Sequence, residues 1–200
     1  TSERRICLQG QQHFQGAESM TTSRIAFVVL LIVAVVFFGI RVFAASNSIP
    51  QVGEMAPEFT LPSQENTNVS LSQYKGKWVV LYFYPKDQTS GCTIEAHNFQ
   101  KDMSKFDAVN AVVLGVSVDS VKSHQAFCAK DGLHFKLLSD TGHTVVSQYG
   151  SLANYMGMKM AKRNTFLIDP QGKIVKEWIG VDPNHASSEV LDAIQGMQKS

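Results

Sequence analysis

The chain of 200 residues reads as an α/β protein: a mixed central sheet flanked by helices, with an N-terminal hydrophobic segment ahead of it. Three observations predict this class. Trp78 to Phe83 and Ala111 to Val118 are apolar, β-branched runs without polar alternation, as expected of parallel strands buried on both faces. Between them, Ala96, Phe99, Met103 and Phe106 recur at spacings of three and four, the stripe of an amphipathic helix. Asn164–Asp169 and Lys173–Ile179 flank Pro170-Gln171-Gly172 and read as a hairpin, which adds antiparallel pairing to the sheet.

The remaining elements follow in order. After a short linker over 46–51, Phe59-Thr60-Leu61 and Asn68-Val69-Ser70-Leu71 are expected as short strands joined by a polar turn. The first central strand extends to Tyr84, and Pro85, with no N–H for a ladder, ends it. A helix is expected from about Gly91 to Phe106. Ser120 is placed to cap a second helix that runs to about Lys130, where Asp131-Gly132 stops it. His134 to Leu138 reads as a short strand, Thr141 to Tyr149 as a short helix, and Ala186 to Met197 as the last helix.

At 44% hydrophobic and a formal charge of +1, the sequence suits one globular domain plus an appendage. Residues 46–200 hold 14 Lys and Arg against 15 Asp and Glu, with no basic cluster, so no nucleic-acid face is expected. Cys7, Cys92 and Cys128 are too few for a disulfide scaffold. The appendage centres on Ile25 to Ile40, an uncharged stretch between Arg24 and Arg41. As a helix it spans about 24 Å against a hydrocarbon core of ~30 Å, and snorkelling of Arg41 would extend it. Two readings stay open for residues 20–45: an uncleaved membrane anchor, or a signal segment cut after Val42-x-Ala44. Both put the domain, 46–200, on the non-cytosolic side, which in a bacterium is the periplasm, because Arg24 holds the N-terminus in the cytosol. Met20 is the expected start, and residues 1–19 are then either non-native sequence or a leader upstream of it.

The chemistry concentrates in Tyr84-Pro85-Lys86-Asp87-Gln88-Thr89-Ser90-Gly91-Cys92. Here a buried strand passes through a short polar loop into a helix start. Cys92 falls in the first helical turn, where the macrodipole and free backbone N–H groups favour an anion. A thiol placed so becomes a nucleophilic thiolate more readily than a free cysteine does. By position alone, Cys92 reads equally well as a buried structural thiol, Thr89 as a turn hydroxyl and Pro85 as a strand terminator.

Pro85, Thr89 and Cys92 fill the pattern Pro-x-x-x-Thr-x-x-Cys, and with it the chain resembles the peroxiredoxins. Lys75-Gly76-Lys77, Tyr82-Phe83-Tyr84-Pro85-Lys86-Asp87, Gly91-Cys92-Thr93-x-Glu95 and Thr165-Phe166-Leu167-Ile168-Asp169 are similar to words of the bacterioferritin comigratory protein, or Q-type, subfamily. The resemblance covers residues 50–198. It implies a thioredoxin-like fold and a thiol peroxidase, monomeric and without metal or organic cofactor. Its substrates would be hydrogen peroxide and organic hydroperoxides, and its reductant thioredoxin or a thioredoxin-like donor.

The resemblance also implies roles for single residues. Cys92 would be the peroxidatic nucleophile, and Pro85 would shield its thiolate. The Thr89 hydroxyl and the Cys92 backbone N–H would hold the peroxide oxygens. Arg163, the only arginine after residue 41, would supply the cation for the oxygen that gains electrons. Glu95 matches the subfamily's glutamate, with a solvated helix carboxylate as the other reading. Attack leaves a sulfenic acid that overoxidises unless a second thiol resolves it. Many Q-type members carry that thiol five residues after the nucleophile, where this chain has His97. Cys128 resembles the resolving cysteine that other members place in the next helix, with an inert helix cysteine as the alternative. Val121 and Phe127 are the apolar positions expected there, so this thiol need not belong to the core. The two thiols start on different helices, so local unfolding is expected to bring their Cα atoms within the ~7 Å a disulfide needs.

Rival classes fit less well. A tethered thiol–disulfide oxidoreductase of thioredoxin fold wants Cys-x-x-Cys, and Glu95 stands at the second position. A copper-delivery module wants Cys-x-x-x-Cys, and Ala96 stands there. A non-catalytic binding module would leave the whole constellation without a use. His124 and Cys128 lie one turn apart, but no further ligands gather to make a metal site.

Overall fold

Strand β3 (Trp78–Phe83) forms the middle of a five-stranded sheet in the computed structural model, which describes residues 48–199. Its neighbours are β4 (Ala111–Ser117), which runs parallel to it, and β8 (Asn164–Ile168), which runs antiparallel. β5 (Lys136–Ser139) pairs parallel with β4, and β9 (Ile174–Ile179) antiparallel with β8, giving the order β5-β4-β3-β8-β9. The mixed sheet expected from the sequence is present. β1 (Thr60–Pro62) and β2 (Asn68–Ser70) form a separate antiparallel pair. The helices are α1 (Ser90–Ala108), α2 (Val121–Asp131), α3 (Thr144–Gln148) and α4 (Ala186–Gln198). The segments predicted as leader and as anchor or signal, 1–19 and 20–45, lie outside the described residues.

The pleat of β3 divides the core. Val80 and Tyr82 point to one face with Tyr84 beyond the strand end, and there they meet Phe99 and Phe106 of α1, Phe127 of α2 and Val190 and Ile194 of α4. Val79, Leu81 and Phe83 point to the other face and meet β1, β2 and α3 through Leu61, Val69, Val145 and Val146. Every residue of β3 after Trp78 is buried, which explains its unbroken apolar run. Gly115 lies between Tyr82 of β3 and Leu137 of β5 in register. A Cβ there would sit 2.7 Å from both side chains, so glycine is what lets the Tyr82 ring lie across β4.

Several boundaries differ from expectation, each for a local reason. Leu71 is not part of β2 but opens a 3-10 turn, Leu71–Tyr74, in which the Gln73 side chain reaches back to accept the Ser70 N–H (3.2 Å). His134 and Phe135 stay outside β5, and the His134 N–H donates to the Gln100 side chain at 2.7 Å instead of to a ladder. The short helix begins at Thr144 rather than Thr141, because Asp140 accepts the N–H groups of Thr144 and Val146 (3.0 and 2.8 Å) as a helix-start anion. Asp169 likewise leaves the hairpin strand, since its carboxylate accepts the Gln171 and Lys173 N–H groups across the turn (2.9 and 2.8 Å).

One element was missed altogether. β6 (Leu152–Tyr155) and β7 (Met158–Ala161) form an antiparallel hairpin around Met156 and Gly157, both at positive φ. Neither strand contains a β-branched residue, and Met-Gly is not one of the usual tight-turn pairs, so the sequence carries little strand signal.

Candidate active site

The register of the antiparallel pair builds the site. Phe83 at the end of β3 faces Asn164 at the start of β8. Arg163, one residue before β8, is thereby delivered to the end of β3, where the chain turns towards Cys92. The loop over 84–89 is short and constrained. Tyr84 N–H donates to Val116 C=O at 3.1 Å, and Gln88 adopts a left-handed conformation (φ +57°) unusual for a side chain of its kind. Thr89 is the N-cap residue of α1, and the helix ladder starts with Thr93 N–H to Thr89 C=O at 2.9 Å. Cys92 therefore lies in the first turn, where N–H groups have no partner within the helix.

Cys92 is buried (2% exposed), and its Sγ accepts a hydrogen bond from Arg163 Nη2 at 3.2 Å. Arg163 Nη1 donates to Glu95 Oε2, one helical turn beyond Cys92. A single guanidinium thus bridges the thiol sulfur and a carboxylate. Gly91 makes room for it: a Cβ at that position would come within 3.3 Å of Nη2. The open alternative for Glu95, a solvated carboxylate, is excluded, because its side chain is wholly buried. Burial pushes the Glu95 carboxyl up to about 7, and the Arg163 charge and hydrogen bond only partly oppose this.

Thr89 is exposed, and its hydroxyl donates to the Lys86 carbonyl at 3.0 Å. With its hydrogen so used, the oxygen keeps lone pairs free to accept. Pro85 is half-buried at the loop start.

Cys128 stands on α2, half-buried, and Cys92 and Cys128 are both free thiols. Burial, then Asp87, Asp131 and Glu65, push the Cys128 thiol up to about 11. The inner face of α2 agrees with the sequence reading at Phe127 and adds a residue it did not anticipate, His124. His124 and Phe127 are fully buried, and Cys128, half-buried like Val121, packs against the core beside Phe127. His97 is exposed on α1 and pairs with Asp131 of α2 at 3.2 Å. His124 does not pair with Cys128. Its Nδ1 donates to Asp87 Oδ2 at 2.9 Å, and Tyr84 Oη donates to Asp87 Oδ1 at 2.7 Å. Burial alone would raise the Asp87 carboxyl, but bonds from His124, Ser123 and Tyr84 hold it below its usual range. This Tyr84–Asp87–His124 cluster was missed from sequence, and the polar spacing of α2 hid it. Among the described residues, no group of His, Cys, Asp or Glu is arranged to hold a metal ion.

The family described as AhpC/TSA matches residues 52–177. A putative peroxiredoxin Bcp of Coxiella burnetii is 48% identical over 145 residues, 70% of this chain and 96% of that protein. Peroxiredoxin Bcp of Bacillus subtilis is 38% identical over 156 residues, 74% of this chain and 98% of that protein. In three dimensions, a variant of Xylella fastidiosa PrxQ superposes with a TM-score of 0.72 at 36% identity, covering 76% of this chain and 99% of that one. A Xanthomonas campestris bacterioferritin comigratory protein, studied for alkyl peroxide reduction, gives a TM-score of 0.65 at 36% identity over 70% of this chain and 91% of that one. With its thioredoxin-like fold and these relatives, the chain belongs to the AhpC/TSA family and is a peroxidase of the Bcp/PrxQ peroxiredoxin subfamily.

Proposed function

We propose that this peroxidase reduces hydrogen peroxide and organic hydroperoxides through Cys92 and closes an intramolecular disulfide with Cys128. The observation that carries the reading is the Arg163 guanidinium, 3.2 Å from Cys92 Sγ and anchored by Glu95. The Cys92 thiolate attacks the terminal oxygen of R–O–O–H. The S–O bond forms as the O–O bond breaks, leaving Cys92–S–OH and an alkoxide or hydroxide that takes up a proton. Arg163 stabilises the charge that develops on the departing oxygen, and the Cys92 N–H donates to the same group. Thr89 Oγ1, its own hydrogen committed to Lys86, accepts the peroxide O–H and so orients the oxygen under attack. Pro85 restricts water at the sulfur.

In the second step the Cys128 sulfur attacks Cys92–S–OH, forming the S–S bond and releasing water. A thioredoxin-like dithiol then reduces the disulfide by exchange and is itself oxidised. The apolar stretch at 25–40 supports a further reading, that the domain is tethered to or exported across a membrane, with its donor in that compartment.

Peptide mapping after one equivalent of peroxide tests the pairing. A Cys92–Cys128 disulfide is expected, with Cys92→Ser inactive and Cys128→Ser stopping at the sulfenic acid after one equivalent and accumulating sulfinic acid when further peroxide is added. Full thioredoxin-dependent turnover by Cys128→Ser would instead make an external thiol the resolving group.

A further inference from the structure

Helix α2 carries Cys128, so whatever fixes α2 sets when that thiol can move. The helix packs on β5, whereas α1, which carries Cys92, packs on α4 and β4. Four polar anchors hold α2 besides the Phe127 side chain, one of them the bond from Ser123 to the Asp87 carboxylate. At the surface, Gln125 Nε2 donates to Gln64 C=O at 2.9 Å and Asp131 pairs with His97. Inside, His124 has no exposed surface and bonds Asp87 Oδ2 through Nδ1, while its Nε2 is buried and carries no hydrogen bond. Asp87 belongs to the loop that leads to Thr89 and Cys92. Its backbone N–H is itself tied to Asp119 Oδ2 at 3.0 Å, directly ahead of α2. His124 and Cys128 lie one turn apart on the same inward face.

We propose that His124 is the latch of α2: its bond to Asp87 ties the resolving helix to the peroxidatic loop and must break before Cys128 can reach the Cys92 sulfenic acid. The proposal rests on the reading of Cys128 as the resolving thiol. In the latched state the Cys128 sulfur is half-buried on its own helix and Cys92 is covered in the core. Unlatching frees α2 to unwind, Cys128 attacks Cys92–S–OH, and the S–S bond forms with loss of water. Latch strength thereby sets the time during which a second peroxide can overoxidise Cys92. His124 is a positioning residue. It does not touch the reacting sulfur and should leave the first oxidation alone.

The experiment separates the two steps by rapid mixing, reading Cys92 oxidation and Cys92–Cys128 disulfide formation, with hydrogen exchange over residues 121–131 in the same samples. His124→Phe fills the ring's space without a donor. Losing one hydrogen bond to a charged group should speed disulfide formation about tenfold and raise exchange in α2, with oxidation of Cys92 unchanged. His124→Asn places an amide N–H near the Nδ1 position and should restore the wild-type rate. His124→Gln, which lacks a donor at that position, serves if the Phe variant does not fold. A disulfide forming at the wild-type rate in a folded Phe or Gln variant overturns the latch, and so does an Asn variant as fast as Phe, which would reduce the effect to packing. No Cys92–Cys128 disulfide in the wild type overturns the reading of Cys128 itself, a result separate from either.

Discussion

Arg163 is the residue on which the site turns, because one side chain serves two partners that the sequence places 71 and 68 positions away. Its fork geometry permits this, since two nitrogens of one plane point to Cys92 and to Glu95 at once. Replacing it with alanine removes the charged donor at the sulfur and leaves Glu95 buried without a partner. The second-order rate constant with peroxide should fall roughly a hundredfold, equivalent to about 3 kcal/mol of transition-state stabilisation. Stopped-flow oxidation of Arg163→Ala against wild type checks this, and an unchanged constant would exclude the role. Residue types in the loop were legible from the sequence, but their hydrogen-bond directions were not. For Thr89 the sequence left open a turn hydroxyl or a holder of a peroxide oxygen, and only the structure shows its hydrogen committed to the Lys86 carbonyl.

At the scale of elements, the junction of β3, loop and α1 was legible because it depends on neighbours in the chain. A buried apolar run, a proline and a helix stripe follow one another within thirty residues, and each has its own local signal. Helix α2 was legible in extent, with Ser120 accepting the Ser123 N–H at 3.2 Å and Gly132 closing it in a left-handed conformation (φ +64°). Its inward face was not legible, because a buried histidine looks polar until its partner is known. Strand β4 yields a stability test. Gly115→Ala would press a methyl against Tyr82 and Leu137, both buried side chains fixed by their own strands. Overpacking of this kind costs about 1–3 kcal/mol, to be read as a shift in the denaturant midpoint. A midpoint equal to wild type would mean that the Tyr82 ring can slide aside.

For the whole molecule, stability should carry the signature of Glu95. Its carboxyl titrates near 7 in the folded protein against an ordinary value of 4.5. Between these values the folded state holds a proton that the unfolded state has lost. Stability therefore falls as pH rises from about 4.5 to about 7, and the loss is complete above 7. Denaturation midpoints across pH 4 to 8 should show this slope, and Glu95→Gln should flatten it while lowering reactivity with peroxide through a less firmly held Arg163. An identical slope in Glu95→Gln would assign the pH dependence to other groups. Near neutrality of charge over residues 46–200 adds no opposing global trend.

The sequence by itself determined the α/β class, the strand–loop–helix that presents Cys92, and the family, because these depend on local periodicity, turn chemistry and short words in order. Tertiary structure decided what lies against what. The antiparallel register of β3 with β8 brought Arg163 to the sulfur, burial made Glu95 a carboxyl with a raised pKa, and packing turned His124 inward onto Asp87. Those outcomes are contacts between residues 37 to 71 positions apart. Long-range contacts are set by sheet register and by which faces are excluded from water, and neither leaves a signal at the residues that end up touching.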